Sequence, residues 1–175
     1  CVLPAVLVPY FQKRCRNTDK ILKAMYVAAG IGQIIATRSS ISGAAGGCQA
    51  EIGSASSMAA GALTYLQGGN CEQIATAAAM AMKNLLGLVC DPVAGLVEVP
   101  CVKRNVIGTV NAMACADMAM AGITSRIPPD QVMDAMKEVG DKMDASLRET
   151  ALGGLARTEE GVKIAEKMHA SQENW

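Results

Sequence analysis

The sequence predicts an all-α fold, a compact domain of several helices with glycine-rich loops at its functional site. Apolar residues recur at helical spacing along most of the chain, and no segment alternates apolar and polar residues long enough to require a sheet. Of the 175 residues 51% are apolar, yet only one Phe, three Tyr and one Trp occur. The core must therefore consist of Ala, Met, Val, Ile, Leu and Gly, and such small side chains let helices approach closely. We expect residues 1–175 to form one domain.

Two helices are predicted at the start of the chain. The first runs from Val2 to Cys15, and Pro9 predicts a kink or break within it. Asn17 or Thr18 is the expected N-cap of the second helix. The predicted buried face of this second helix consists of Ile21, Leu22, Met25, Ala28 and Ala29.

The segment from Ser39 to Leu63 is rich in Gly, Ser and Ala. Its first part, up to Gly47, is predicted to be a loop, and the remainder a helix with a face of small residues. Asn70 and Gln73 have the spacing of a capping box. They predict the start of a helix that contains residues 75–88 and ends before Pro92, because proline disfavours helix in the preceding residue.

The second half of the chain is predicted to continue in helices. The apolar segment from Val89 to Pro100 is expected to be a loop that folds into the interior, followed by a helix from Cys101 through Ala121. Pro128 or Pro129 is expected to open another helix. That helix should bury Val132, Met133 and Met136.

A last amphipathic helix is expected near the end of the chain. Thr158 is its predicted cap, and the helix should end near His169, with residues 171–175 loose. His169 would then lie on a surface helix, where a cation favours the C-terminal end, so it is a poor catalytic candidate.

Charge and cysteine content exclude several classes of protein. Sixteen basic residues balance sixteen acidic ones, which disfavours nucleic acid as a partner. Lys83 and Asp117 interrupt the longest apolar stretches, so no membrane span is expected. The seven cysteines are odd in number and no secretory signal precedes them, which predicts a cytoplasmic protein without a disulfide framework. The chain begins inside an apolar run without Met, and we expect it to be an N-terminally truncated fragment.

Three of the cysteines lie in unusual backbone contexts. Cys48 follows a Gly-rich segment at a predicted helix start, Cys90 precedes a turn with Pro, and Cys101 follows Pro100. They could bind one metal group together, or they could be buried packing groups, as free cysteines usually are. Their spacings match no general zinc or ferredoxin pattern, so the residues alone leave both interpretations open. The other cysteines, Cys1, Cys15, Cys71 and Cys115, are expected to be packing or surface thiols. Core packing is expected for methionines on the apolar helix faces: Met80, Met82, Met113, Met118 and Met120.

Four sequence strings resemble the alpha chain of iron-sulfur-dependent L-serine dehydratases. In order they are SISGAAGGCQAEIGSASSMAAG, KNLLGLVCDPVAGLVEVPCVKRN, AGITSRIP and LRETALGGLA. The resemblance implies that Cys48, Cys90 and Cys101 bind a [4Fe-4S] cluster, and that pyridoxal phosphate is not used. With one iron left open by the three thiolates to act as a Lewis acid, the resemblance implies that L-serine loses water to give aminoacrylate, which is hydrolysed to pyruvate and ammonia. It also implies a beta chain as partner, and further homo-oligomer contacts.

The remaining site candidates are less specific. Glu51, one turn after Cys48, is a weak candidate for the catalytic acid or base, and a structural or solvated carboxylate is the simpler interpretation. Lys103, Arg104 and Asn105 could bind the substrate carboxylate or hydrogen-bond the cluster sulfurs, or form a solvated helix turn. Four residues could supply backbone N–H donors that bind an anion: Ser42, Gly43, Gly46 and Gly47. Alternatively, the glycines only allow close helix packing or a tight turn.

Two other functions agree with the same residues. The chain could be a non-catalytic structural or assembly subunit, or a helical fragment that binds zinc through its cysteines.

Overall fold

The computed structural model describes residues 1–172, and the side chains of residues 1–170. Helices joined by turns make up this part of the chain, and no β-strand occurs within it, which confirms the predicted all-α class. The helices are α1 (Val2–Lys13), α2 (Thr18–Arg38), α3 (Gly43–Gly46), α4 (Ser54–Leu66), α5 (Cys71–Lys83), α6 (Cys101–Met120), α7 (Pro129–Lys142) and α8 (Glu159–Gln172). A π-helix, Gln49–Gly53, leads directly into α4.

The core lies between α4, α5 and α6 and is built from small residues, as the composition predicts. Its largest cluster includes Ala59, Ala60, Ala77, Ala81, Ala112 and Ala116. Two buried hydroxyls tie these helices together: Ser56 donates to the carbonyl of Gly108 at 2.7 Å, and Ser57 donates to that of Ala78 at 2.8 Å. Because the helices pack closely, hydroxyls on α4 can hydrogen-bond the backbone of the neighbouring helices.

The predicted helix starts are confirmed where a local cap defines them. The side chain of Asn17 accepts a hydrogen bond from the backbone of Lys20. Asn70 and Gln73 form the reciprocal capping box of α5. Thr158 accepts from the backbone of Gly161 at 3.1 Å at the start of α8. The helices α6 and α7 also begin where predicted, at Cys101 and Pro129, and α7 buries Val132, Met133 and Met136.

Several helix details differ from the prediction. Helix α1 continues through Pro9, which lies on the exposed side where a carbonyl without a partner can reach solvent, and it ends at Lys13. Helix α2 buries Ala24, Ala28 and Ile35, which confirms Ala28 of the predicted face. Ala24 and Ala28 pack in one cluster with Ala62 and Leu66 of α4. Three residues of that predicted face are exposed: Leu22, Met25 and Ala29.

The segment predicted as a glycine-rich loop contains one helical turn, α3, because the backbones of Gly46 and Gly47 donate to the carbonyls of Ser42 and Gly43. Helix α5 ends at Lys83 and not at Leu88. The residues after it form tighter turns that lead to Gly87, where φ is +83°.

The apolar segment after α5 is only half buried. Residues 90–93 lie in the interior, but residues 95–99 are exposed, which contradicts the prediction for that half. A β-bridge between Cys90 and Arg148 holds the first half inside. The second half is tied to nearby backbone, with Val93 donating to the carbonyl of Val99 at 2.9 Å. Met113 is likewise exposed instead of buried.

Helix α8 extends past His169 to Gln172, so the expected loose segment does not begin at Ser171, and residues 173–175 lie outside the described residues. Among the described helices, none combines the length and hydropathy that crossing a membrane requires.

Candidate functional site

The side chains of Cys48, Cys90 and Cys101 come together in one cluster with Ile52 and Leu85. Cys48 and Cys90 are buried, and Cys101 is half-buried. The three residues belong to different elements, so their meeting depends on the whole fold. Tertiary structure, and not a short spacing in the sequence, therefore brings the three cysteines together.

Cys48 occupies the junction between α3 and the π-helix. The preceding residue, Gly47, has φ +78° and ψ 179°, a conformation that favours glycine. A Cβ at this position would lie 2.9 Å from the carbonyl of Leu88 and 2.7 Å from the sulfur of Met143. The backbone of Gln49 donates to the same Leu88 carbonyl at 2.9 Å. Gly47 thus lets the Cys48 segment lie against the chain that leads to Cys90.

Cys90 is held by the C-terminal part of the chain. Its backbone donates to the carbonyl of Leu147 at 2.8 Å, and its carbonyl accepts from Glu149 at 2.8 Å. Glu149 has φ +65°, a conformation that is uncommon outside glycine. The segment around residue 148 therefore belongs to the site, although it supplies none of the three thiols.

A cavity of about 450 Å³ opens beside the thiols. Cys90, Cys101, Glu51 and Asn105 are among its lining residues. Asn105 also donates to the carbonyl of Cys101 at 2.9 Å, within the first turn of α6. The cavity has both sulfur and polar groups at its wall, as a small polar ligand requires.

Glu51 lies closer to the thiols than sequence spacing alone indicates. One carboxylate oxygen of Glu51 and the sulfurs of Cys48 and Cys90 all lie within 4.8 Å of one another. A Cβ at Gly43 would come within 3.0 Å of the carboxyl carbon of Glu51, so the glycine leaves the space that this carboxylate fills. These three donors could bind a metal ion together.

Arg104 connects the first thiol to a buried carboxylate. Its Nη1 donates to the sulfur of Cys48 at 3.8 Å, to the carbonyl of Val89 at 2.7 Å and to Oδ1 of Asp91 at 2.7 Å. The other oxygen of Asp91 accepts from the backbone of Leu155 at 2.8 Å. Asp91 was not among the sequence candidates. The signal that could have indicated it is an acidic residue directly after Cys90, inside a segment whose only other charged residue is Glu98.

The surroundings of Cys90 and Cys101 favour the neutral thiol at both residues. Burial raises the pKa of the Cys90 thiol, and its hydrogen bond with Cys48 raises it further. Burial also raises the pKa of Cys101, together with the charge of Cys48, and the nearby Arg104 opposes this shift. A bound cationic group would reverse the balance, because metal ions stabilise thiolates.

The other predicted candidates are exposed or have packing roles. Lys103 is exposed on α6 and is not among the lining residues of the cavity. Ser42 is exposed at the start of α3, and Gly46 packs against Gly140 of α7. His169 is exposed on α8.

Of the remaining cysteines, Cys115 is buried, Cys15 is half-buried, and Cys71 is exposed. Cys1 is exposed and lines the cavity, a position that the sequence did not indicate.

Comparison with known proteins agrees with the resemblance found in the sequence strings. The family model described as serine dehydratase alpha chain matches residues 1–156. The "Probable L-serine dehydratase, alpha chain" of Bacillus subtilis is 54% identical over 167 residues, which cover 95% of this chain and 56% of that protein. The protein of the same name from Latilactobacillus sakei is 52% identical over 162 residues, covering 93% of this chain and 78% of that protein.

A third relative is the "L-serine dehydratase, alpha chain" of Peptoniphilus asaccharolyticus, 49% identical over 163 residues that cover 93% of this chain and 56% of that protein. The chain thus spans little more than half the length of two of these three relatives. The match of the family model to residues 1–156 extends across the cysteine cluster, the cavity and the segment that holds Cys90. The chain belongs to the serine dehydratase alpha chain family.

Proposed function

We propose that this chain forms the cluster-binding part of a cytoplasmic L-serine ammonia-lyase, in which Cys48, Cys90 and Cys101 bind a [4Fe-4S] cluster. The observation that carries the proposal is the meeting of these three thiols beside a cavity of about 450 Å³. When bound, a cluster with three cysteine ligands supplies an open iron position, and so a Lewis acid for the departing hydroxyl of serine.

The donor set fits such a cluster. Thiolates are the usual protein ligands of iron-sulfur clusters, and the three sulfurs come from three different elements that surround one point. Arg104 donates a hydrogen bond to the Cys48 sulfur, and donors of this kind tune a cluster from outside its ligand shell. Burial raises the pKa of the Cys90 and Cys101 thiols, so the binding of the cluster would release their protons.

The acid-base chemistry is assigned to Glu51. Its carboxylate lies at the cavity wall, beside two of the thiols. We infer that it takes the α proton of L-serine and passes it to the departing hydroxyl, which leaves as water and gives 2-aminoacrylate. This enamine tautomerises to the imine and is hydrolysed to pyruvate and ammonia. Gly43 serves this role indirectly, because a side chain there would displace the carboxylate.

Substrate binding is assigned to the first turn of α6. Asn105 lines the cavity and can hydrogen-bond the carboxylate or amino group of L-serine. Arg104 is already bound by Asp91, so its positive charge acts on the site through the Cys48 sulfur. The names of the relatives specify an alpha chain, and we propose a beta chain as the partner that completes the enzyme.

The test is pyruvate formation by the anaerobically reconstituted chain together with its beta chain. Cys90→Ala should reduce the rate to background, whereas Cys71→Ala, at an exposed position on α5, should not change it. Glu51→Gln should retain the cluster absorbance and lose roughly 10²–10⁴-fold in kcat. Full activity of Cys90→Ala would refute the cluster assignment, and full activity of Glu51→Gln would refute the proposed base.

A second candidate function is a structural subunit that binds zinc. The donor atoms of Cys48, Glu51 and Cys90 lie within 4.8 Å of one another, a spacing that suits a single ion. Elemental analysis distinguishes the two candidates. Zinc at one ion per chain, lost in Glu51→Gln and accompanied by no visible charge-transfer absorbance, would favour the zinc subunit.

A further inference from the structure

The outer face of α6 is apolar, although it faces solvent. In a surface helix the solvent side is ordinarily polar, and α7 follows this rule with Gln131, Asp134, Lys137, Glu138 and Asp141 on its exposed side. The middle of the exposed side of α6 consists of Val106, Ile107, Val110, Met113 and Ala114. The four largest of these are between 47% and 61% exposed.

Charged residues bound this apolar stripe at both ends. Lys103 lies seven residues before Val110 and Asp117 seven residues after it, and both are exposed. Residues seven apart share one helix face, so both charges lie in line with the stripe, about 10.5 Å from Val110 along the helix. A hydrogen bond from the side chain of Gln67 at 3.0 Å holds the Asp117 carboxylate. The cation is thus at the N-terminal end of the stripe and the anion at its C-terminal end.

This arrangement is complementary to itself when two copies meet head to tail. A two-fold axis through Val110 brings Lys103 of each copy opposite Asp117 of the partner subunit and leaves the apolar residues between them. A parallel pairing would instead set lysine against lysine and aspartate against aspartate, which is unfavourable. We propose that the outer face of α6 is a homodimer interface in which two copies of this chain pair antiparallel about Val110.

The interface also bears on the cavity. Val102 and Val106 of the same helix line the cavity that contains Cys90 and Cys101. A second copy along α6 therefore lies at the rim of this cavity and limits its access to water. The proposal goes beyond the lyase function and does not rest on it, since the pairing requires neither a cluster nor a substrate.

Sedimentation equilibrium of the 175-residue chain tests the pairing. The chain, of 18.1 kDa, should sediment as a dimer, and Val110→Lys as a monomer. Tyr26→Lys is the matched control because it places the same charge at a 68% exposed aromatic position on α2, and it should remain dimeric. A monomeric wild-type chain at micromolar concentration, or dissociation of Tyr26→Lys as well, would overturn the proposal.

Charge reversal tests the antiparallel geometry without altering the apolar stripe. Lys103→Glu and Asp117→Lys should each raise the dimer dissociation constant about tenfold or more, because two cross-interface ion pairs are lost and replaced by repulsion. The double variant Lys103→Glu/Asp117→Lys should return it to within about threefold of wild type, since the pairs are restored in reverse. If the double variant is no tighter than the weaker single variant, the antiparallel pairing is wrong. Both changes are at exposed positions, so this test stands even if Val110→Lys fails to fold.

Discussion

At the scale of single residues, the buried ion pair of Asp91 and Arg104 connects the thiols to the end of the chain. Both oxygens of Asp91 accept a hydrogen bond, one from Arg104 at 2.7 Å and the other from the backbone of Leu155 at 2.8 Å. The Asp91 side chain is 3% exposed and that of Arg104 is 14% exposed, so water cannot replace either partner freely. Removing one charge from such a pair leaves the other buried and unpaired.

Asp91→Asn should therefore destabilise the chain far more than the loss of one surface charge. We expect the free energy of unfolding in urea to fall by about 3 kcal/mol, because Arg104 keeps its charge without a counterion. The control is Asp134→Asn, which breaks the ion pair between Asp134 and Arg38 on the surface. That change should cost less than about 1 kcal/mol. Equal losses in the two variants would mean that the buried pair does not stabilise the site.

At the scale of elements, the site depends on the turn between α3 and the π-helix, which contains Gly47 and Cys48. This turn brings the Cys48 segment into contact with the residues that follow α5. Two effects limit what can replace Gly47: its φ of +78°, and the 2.9 Å that would separate a Cβ from the carbonyl of Leu88. The same glycine that permits the turn also sets the distance between the Cys48 and Cys90 segments.

Comparing Gly47→Ala with Gly68→Ala separates these two effects. Gly68 also has positive φ, +92°, but a Cβ there would meet no atom within 4 Å. Gly68→Ala should thus cost only the conformational part, about 1–2 kcal/mol. Gly47→Ala should cost at least about 1 kcal/mol more in the free energy of unfolding, because backbone atoms must also move. An equal cost at both positions would show that the backbone at Leu88 moves away from the added Cβ at little cost in free energy.

The elements that the sequence predicts well are those with local causes. Asn17, the Asn70–Gln73 box and Thr158 each satisfy backbone groups within three residues, so the helix starts follow from neighbouring residues alone. Helix ends and buried faces depend on distant partners. Accordingly, α5 stops at Lys83 before Gly87. Cys90 is buried by its bridge to the distant Arg148, whereas residues 95–99 are exposed.

The site itself follows from the sequence only in part. Spacings of 42 and 11 residues between the three cysteines do not imply that they meet. Their backbone contexts left shared metal binding and packing both open, and the resemblance to a known family favoured the first. The contacts of Asp91 with Leu155 and of Cys90 with Arg148 were missed because they cross more than 50 residues of sequence. Such contacts arise from tertiary packing, which periodicity does not encode.

At the scale of the whole molecule, a scarcity of aromatic residues has two consequences. The interior closes through alanine contacts between α4, α5 and α6, which hold three distant segments around the thiols. The same composition leaves apolar residues outside, above all along α6. Contiguous exposed apolar surfaces often mark sites where a protein binds another molecule. The fold therefore places the three thiols in the interior and an apolar face of α6 on the outside.

The central claim is that three thiols from separate elements bind one cluster, and the iron and acid-labile sulfide content of the reconstituted chain tests it most directly. After anaerobic reconstitution we expect about four irons and four sulfides per wild-type chain. The same content should be found in Cys71→Ala and Cys115→Ala, and a large loss in each single alanine variant of Cys48, Cys90 and Cys101. Fewer than about three irons in the wild-type chain, or an undiminished content in any of those three variants, would contradict the account.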